Sequence, residues 1–257
     1  MKQGIVTMLD LGRMGRMANQ MYQISGILGI GRKLNLEPLF PVWRNIDHQE
    51  RFGSNEDCGL FKHFVHQLPG IPEGTVFQPE RWVDWGYHDV RLPPGNWNLK
   101  GHFQAPAYFD HVRDTVAHYF RMVNEPEQND CTSIHVRLTD YDNAYHPRLA
   151  LSYYKPAMDL FPAGRFLIFS DDIPACKEMF GSDVEYVEGL DYIQSFKLMK
   201  RCHSFIIGNS SYSAMAATLG DHPDKRVVAP RPWFGPAYCS IDAEELYDKD
   251  WTVINWQ

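Results

Sequence analysis

Apolar runs of a few residues alternate with stretches of helical period through the second half of the chain. Residues 133–137 read as a strand, 153–160 as a helix and 165–169 as a strand. Pro174 opens a helix to Phe180, as proline does at a first helical turn. Residues 184–187 read as a short strand. Asp191 caps a helix whose Tyr192, Phe196 and Met199 fall at helical spacing. Residues 205–207 read as a strand, 212–219 as a helix closed by Gly220, and 226–229 as the last strand. Continuous apolar strands separated by helices predict a parallel sheet covered on both faces.

The first half is less regular. Residues 4–9 read as a strand, followed by a glycine-bearing loop and a helix from about residue 19 to residue 33. Residues 66–98, rich in Pro, Gly and Trp, read as loops, 99–103 as a strand and 106–122 as a helix. Gly26, Gly29 and Gly31 inside the first helix predict close packing, since each costs about 1 kcal/mol relative to alanine. The composition changes at Asn124-Glu125-Pro126-Glu127, which predicts an N-terminal lobe over 1–126 and a C-terminal lobe over 127–257.

Composition narrows the classes. With 44% hydrophobic and 22% charged residues, the chain is globular. A net charge of −7 without a basic stripe argues against nucleic acid as a partner. No apolar run approaches the ~20 residues that cross a bilayer. Asp10 interrupts the N-terminal apolar stretch before a signal-peptide core can form. Cys58, Cys131, Cys176, Cys202 and Cys239 are odd in number and widely spaced, so free thiols in a cytoplasmic protein are expected.

Candidate chemistry gathers at predicted strand ends, where open parallel sheets bind ligands. Three polar clusters lie there: His135-Val136-Arg137-Leu138-Thr139-Asp140, Ser170-Asp171-Asp172 and Gly208-Asn209-Ser210-Ser211. Arg137 offers a planar fork of donors suited to a diphosphate. Ser210 and Ser211 open a helix, whose N-terminus favours an anion. Asp171 has the acceptors to meet the N1–H and amino group of guanine. Each cluster also has a plainer reading: Ser and Asn as caps, Asp171 or Asp172 as the cap of the next helix, Arg137 and Asp140 as a local ion pair. In the first half, Gly12 to Gln20 lies where a phosphate-cradling turn would, without the ending of a P-loop. The absence of Gly-x-Gly-x-x-Gly argues against a nucleotide-dependent dehydrogenase.

Several segments, in order, resemble the α-1,2-fucosyltransferases (glycosyltransferase family 11). They are Gly15-Arg16-Met17-Ala18-Asn19-Gln20-Met21-Tyr22-Gln23, Gly101-His102-Phe103-Gln104, His135-Val136-Arg137-Leu138-Thr139-Asp140-Tyr141, Tyr153-Tyr154, Phe169-Ser170-Asp171-Asp172, Asn209-Ser210-Ser211-Tyr212-Ser213 and Val228-Ala229-Pro230-Arg231-Pro232-Trp233-Phe234. Leu138 replaces the second arginine of the family's His-x-Arg-Arg motif, His102 an aromatic, Ala18 a glycine, and Ala214-Met215-Ala216 a Trp-Trp-Gly. The resemblance implies a GT-B-like α/β fold, two Rossmann-type lobes facing a central cleft, with the donor on the C-terminal lobe and the acceptor on the N-terminal one. Arg137 would hold the β-phosphate of GDP, His135 would contact the nucleotide, and Asp140 would belong to the same donor-binding set. Asp171 would meet guanine, Ser210 and Ser211 would meet the phosphates, and Asn209 would belong to the same donor-binding set. Asn19 would sit beside the fucose and the phosphate, Gly15 and Arg16 would be donor-binding, and Arg137 and Asn19 would be the catalytic residues.

The implied reaction is inverting transfer of L-fucose from GDP-β-L-fucose to the 2-hydroxyl of a galactose-terminated glycan. Neither cofactor nor metal is expected; Asp140-Tyr141-Asp142 reads as a chance Asp-x-Asp match. Asp142, His146 and His102 are candidates for the general base, which stays unassigned. Trp43, Trp82, Trp85 and Trp97 read equally as sugar-stacking residues and as core. Two alternatives stay open: a different nucleotide-sugar donor on the same scaffold, because of Leu138, and a catalytically silent GDP- or glycan-binding protein.

Overall fold

The computed structural model describes residues 1–44, 59–83, 85–162 and 164–256. The chain forms two compact units, Met1–Val123 and Asn124–Gln257. Among the described residues, no helix is long and apolar enough to cross a membrane.

The first unit carries a parallel sheet in the order β2-β1-β4-β3. Its strands are β1 (Ile5–Thr7), β2 (Glu37–Pro38), β3 (Gln78–Val83) and β4 (Trp97–Gly101). Helix α1 (Met17–Lys33) is buried along almost all its length. Its glycines permit this. A Cβ on Gly29 would lie 1.8 Å from the Tyr108 carbonyl oxygen, and one on Gly26 2.5 Å from the Phe103 Cβ.

Two expectations for this unit need correction. Residues 66–98 are not all loop, because β3 forms the sheet edge. Its sequence is polar and mostly exposed, so it shows no apolar alternation. The helix expected over 106–122 is broken into two 3₁₀ turns (Pro106–Tyr108 and Asp110–Val112) and a short α2 (Arg113–Tyr119). The break falls at Tyr108–Phe109, whose backbone lies against Gly29.

The second unit carries six parallel strands in the order β10-β9-β8-β5-β6-β7. They are β5 (Asn129–Val136), β6 (Arg165–Ser170), β7 (Glu185–Tyr186), β8 (Cys202–Ile206), β9 (Val227–Arg231) and β10 (Thr252–Asn255). Helices α3 (Leu151–Asp159), α4 (Ile173–Phe180), α5 (Tyr192–Lys200) and α6 (Ser211–Leu219) intervene. Asp191 caps α5 in a full capping box with Gln194. Strand β10 corrects the expectation that the sheet ends near residue 229. It pairs with β9 from Thr252 to Asn255 and is only partly buried.

Counted from β5, the chain runs outward through β6 and β7, then crosses back to β8, β9 and β10. This is the strand order of a Rossmann sheet, and its switch point lies between β5 and β8. The core beneath is formed by Ile134, Val136, Tyr153, Tyr154, Ile168, Ile206 and Val228. Cys131, Cys176 and Cys202 are buried free thiols and Cys239 is an exposed one; Cys58 lies outside the described residues.

Candidate active site

The switch point brings the three polar clusters of the second unit together, because β8, β5 and β6 are neighbours. Arg137 follows directly on β5. Its Nε and Nη2 donate to Asp140 Oδ1 and Oδ2 at 2.7 and 2.8 Å, a two-point fork. Asp171 Oδ2 lies 3.2 Å from the same Nε. Among the described residues Nη1 makes no hydrogen bond. Burial, the largest single influence, opposes the guanidinium charge, yet the bond to Asp140 together with the charges of Asp171, Asp140 and Tyr141 prevails and holds the pKa above the ordinary arginine value.

Asp171 stands at the end of β6 and its side chain is 16% exposed. Oδ1 accepts from Leu138 N at 2.9 Å, and Oδ2 from Thr139 N at 3.1 Å and from Thr139 Oγ1. Burial pushes its pKa up, but Thr139, Arg137 and the two backbone donors prevail and lower it. A carboxylate so engaged fastens the 137–139 turn. Leu138 turns its side chain onto the hydrophobic cluster of the unit, which accounts for an apolar residue at this place.

Asn209 is held by bonds within the unit. It is 2% exposed, and its Nδ2 donates to the Pro147 and Trp233 carbonyls at 3.0 and 3.1 Å. Tyr141 Oη in turn donates to the Asn209 carbonyl at 2.8 Å. Asn209 is a clamp joining three loops. Ser210 is the N-cap of α6, and its side chain accepts from Tyr212 N. Ser211 opens the helix, and both serines are partly exposed. His135 is buried beside them, its ring 5.5 Å from that of Tyr212. Its Nδ1 has no partner among the described residues, and burial pushes its pKa down to about 3, so the ring is neutral.

Tyr153 and Tyr154 hold the floor. Tyr153 Oη lies 2.7 Å from the Ile207 carbonyl and 3.0 Å from that of Val228, while Tyr154 Oη donates to the His135 carbonyl at 3.1 Å. Both phenols therefore tie the ends of the central strands. Asp142 accepts from the backbone of Ala144 and Tyr145 at 2.8 Å, and Asp140 is bound to Arg137, so the Asp-x-Asp carboxylates serve local bonds.

In the first unit, Gly15, Arg16 and Asn19 sit at the start of α1, close to the ends of β1 and β4. Gly15 has φ +74°, and a Cβ there would lie 2.5 Å from Asn19 Nδ2. Arg16 is the N-cap residue, with extended backbone. Asn19 Oδ1 accepts from Gln104 Nε2 at 2.9 Å. Gln20 donates to the Gly15 carbonyl at 2.7 Å and accepts from Trp43 Nε1 at 2.8 Å, and Gln23 donates to the Met14 carbonyl at 2.9 Å. These glutamines shape the loop. Sequence reasoning quoted Gln20, Gln23 and Gln104 within motifs but gave them no role.

A family description, glycosyl transferase family 11, matches residues 81–255. Over 282 aligned residues the chain is 26% identical to the O-antigen biosynthesis glycosyltransferase WbnK of Escherichia coli, covering 86% of this chain and 93% of that protein. Solved structures of POFUT1 share the fold. The complex with GDP-fucose has 12% identity and a TM-score of 0.53, and the complex with GDP 13% and 0.51; each covers 88% of this chain and 97% of the other. At those identities the likeness concerns the fold, which is the GT-B-like α/β class expected from the sequence. With the family match extending over more than half of its length, the chain belongs to glycosyl transferase family 11 and is a glycosyltransferase.

Proposed function

We propose that this glycosyltransferase moves L-fucose from GDP-β-L-fucose to the 2-hydroxyl of a galactose, with inversion and without a metal. The observation that carries the reading is Arg137 at the Rossmann switch point. It is locked by two carboxylates through Nε and Nη2 while Nη1 remains available. A pre-oriented guanidinium beside the N-terminus of α6 suits a diphosphate leaving group. The fucose part of the reading is supported by the family resemblance of the motifs and by POFUT1, which shares the fold and has been solved with GDP-fucose.

As the glycosidic bond breaks, negative charge grows on the departing GDP. Arg137 and the amides of Ser210 and Ser211 would meet that charge. Their geometry is fixed beforehand by Asp140, Asp171 and the Asn209 clamp, so little reorganisation is needed at the transition state. His135, being neutral, adds no charge and can offer one ring hydrogen bond to the nucleotide. Asn19, held by Gln104, would orient the sugar.

Purified protein incubated with GDP-fucose and a β-galactoside should release GDP and form an α-1,2-linked product, identified by NMR. Turnover with another nucleotide sugar but not with GDP-fucose would reject the donor assignment.

A further inference from the structure

The four tryptophans of the first unit are not alike. Trp43 is 4% exposed and stacks on Phe64 at 4.9 Å, so it is core. Trp97 is anchored through Nε1 to the Pro93 carbonyl at 2.8 Å. Trp82, by contrast, is 46% exposed at the end of β3. His102 follows β4, the neighbouring strand. Its ring stacks on Trp85 at 3.7 Å with planes 12° apart, and meets Trp82 edge-on at 6.1 Å.

The backbone here is under tension. Phe103 has φ +52°, a conformation that bulky side chains rarely adopt, and its side chain is buried. Its neighbours explain what this turn achieves. His102 is delivered to the tryptophans, and Gln104 to Asn19. Two residues of chain span no more than about 7 Å, so the aromatic group and Asn19 share one sheet edge. Lys100, in register with Trp82, bonds Asp10 at 2.6 Å and lies 3.6 Å from Glu80. Flat rings beside fixed hydroxyl-binding groups suit a pyranose, which has an apolar C–H face and a polar rim.

We infer that Trp82, Trp85 and His102 seat the acceptor, with the C–H face of its galactose lying on the exposed indole of Trp82. The inference rests on the glycosyl-transfer reading and adds to it the place where the acceptor binds. Burial supports it by pushing the pKa of His102 down to about 4, so the stack stays neutral and keeps its apolar character. The same placement makes His102 part of the seat and leaves the general base elsewhere.

The test is an NMR titration of wild-type, Trp82→Ala, Trp85→Ala and Trp82→Phe protein with lactose, with GDP titrated separately as a check on the second unit. The expected result is lactose binding by wild type with saturation transfer strongest at galactose C–H protons. Affinity should be roughly 10-fold lower in each alanine variant and partly restored in Trp82→Phe, with GDP affinity unchanged in all. Because GDP-fucose is absent, failure of the donor assignment leaves this result intact. Lactose affinity unchanged in both alanine variants, or no lactose binding by wild type, overturns the inference.

Discussion

Asp171 and Arg137 stand just past the ends of adjacent strands, with Asp171 Oδ2 3.2 Å from Arg137 Nε. The same carboxylate binds the backbone of Leu138 and Thr139, so one side chain sets both the guanidinium and the turn that carries it. Asp140 completes the fork from within the turn.

Arg137→Ala should leave the far-UV circular dichroism unchanged and lower kcat/KM for GDP-fucose by roughly 100-fold or more. Arg137→Lys should restore little, because a single ammonium cannot satisfy two carboxylates and still reach the phosphate. Wild-type turnover in a folded Arg137→Ala protein would remove this residue from the mechanism.

Asp171→Asn replaces one acceptor oxygen with a donor that faces the donors of Leu138 or Thr139. It should destabilise the protein by about 2 kcal/mol, read by chemical denaturation. It should also raise the KM for GDP-fucose through a displaced Arg137. If the variant matches wild type in both measurements, the turn is held by other contacts.

Gly15→Ala places a methyl group 2.5 Å from Asn19 Nδ2 at a backbone angle that alanine disfavours. The expected outcome is a roughly 10-fold or larger fall in kcat with GDP affinity retained, since the change lies in the first unit. Loss of GDP affinity with kcat preserved would contradict the role given to Asn19.

The pH dependence of stability has a defined sign. Burial lowers the pKa of His135 to about 3 and that of His102 to about 4, against an ordinary value of 6.5. Below pH 6.5 the unfolded chain takes up protons that the folded chain refuses. Stability is therefore full above 6.5 and falls as pH drops towards those lowered values. The slope approaches about 1.4 kcal/mol per pH unit for one such group. Denaturation midpoints should fall between about pH 7 and pH 5, and His135→Gln should make that fall shallower.

The parallel sheet of the second unit was legible because short apolar runs at 166–169, 205–207 and 227–229 alternate with stretches of helical period. The polar edge strand β3 and the half-buried β10 carry no such signal. The fragmentation of residues 106–122 falls where the chain meets Gly29 of another element, a contact that local periodicity cannot register. At the site, Arg137 and the cap at Ser210 could be read from position along the chain. The inward clamp of Asn209 could not, since its partners Pro147 and Trp233 are distant in sequence. Nor could the engagement of Asp171, whose partners come from the adjacent strand end.

The most direct measurement is GDP release from GDP-fucose with a β-galactoside in excess EDTA, with GDP-mannose and UDP-galactose as controls. The account predicts release that requires both GDP-fucose and the galactoside and persists in EDTA. Release only from another donor, or release abolished by EDTA and restored by a divalent cation, would contradict it.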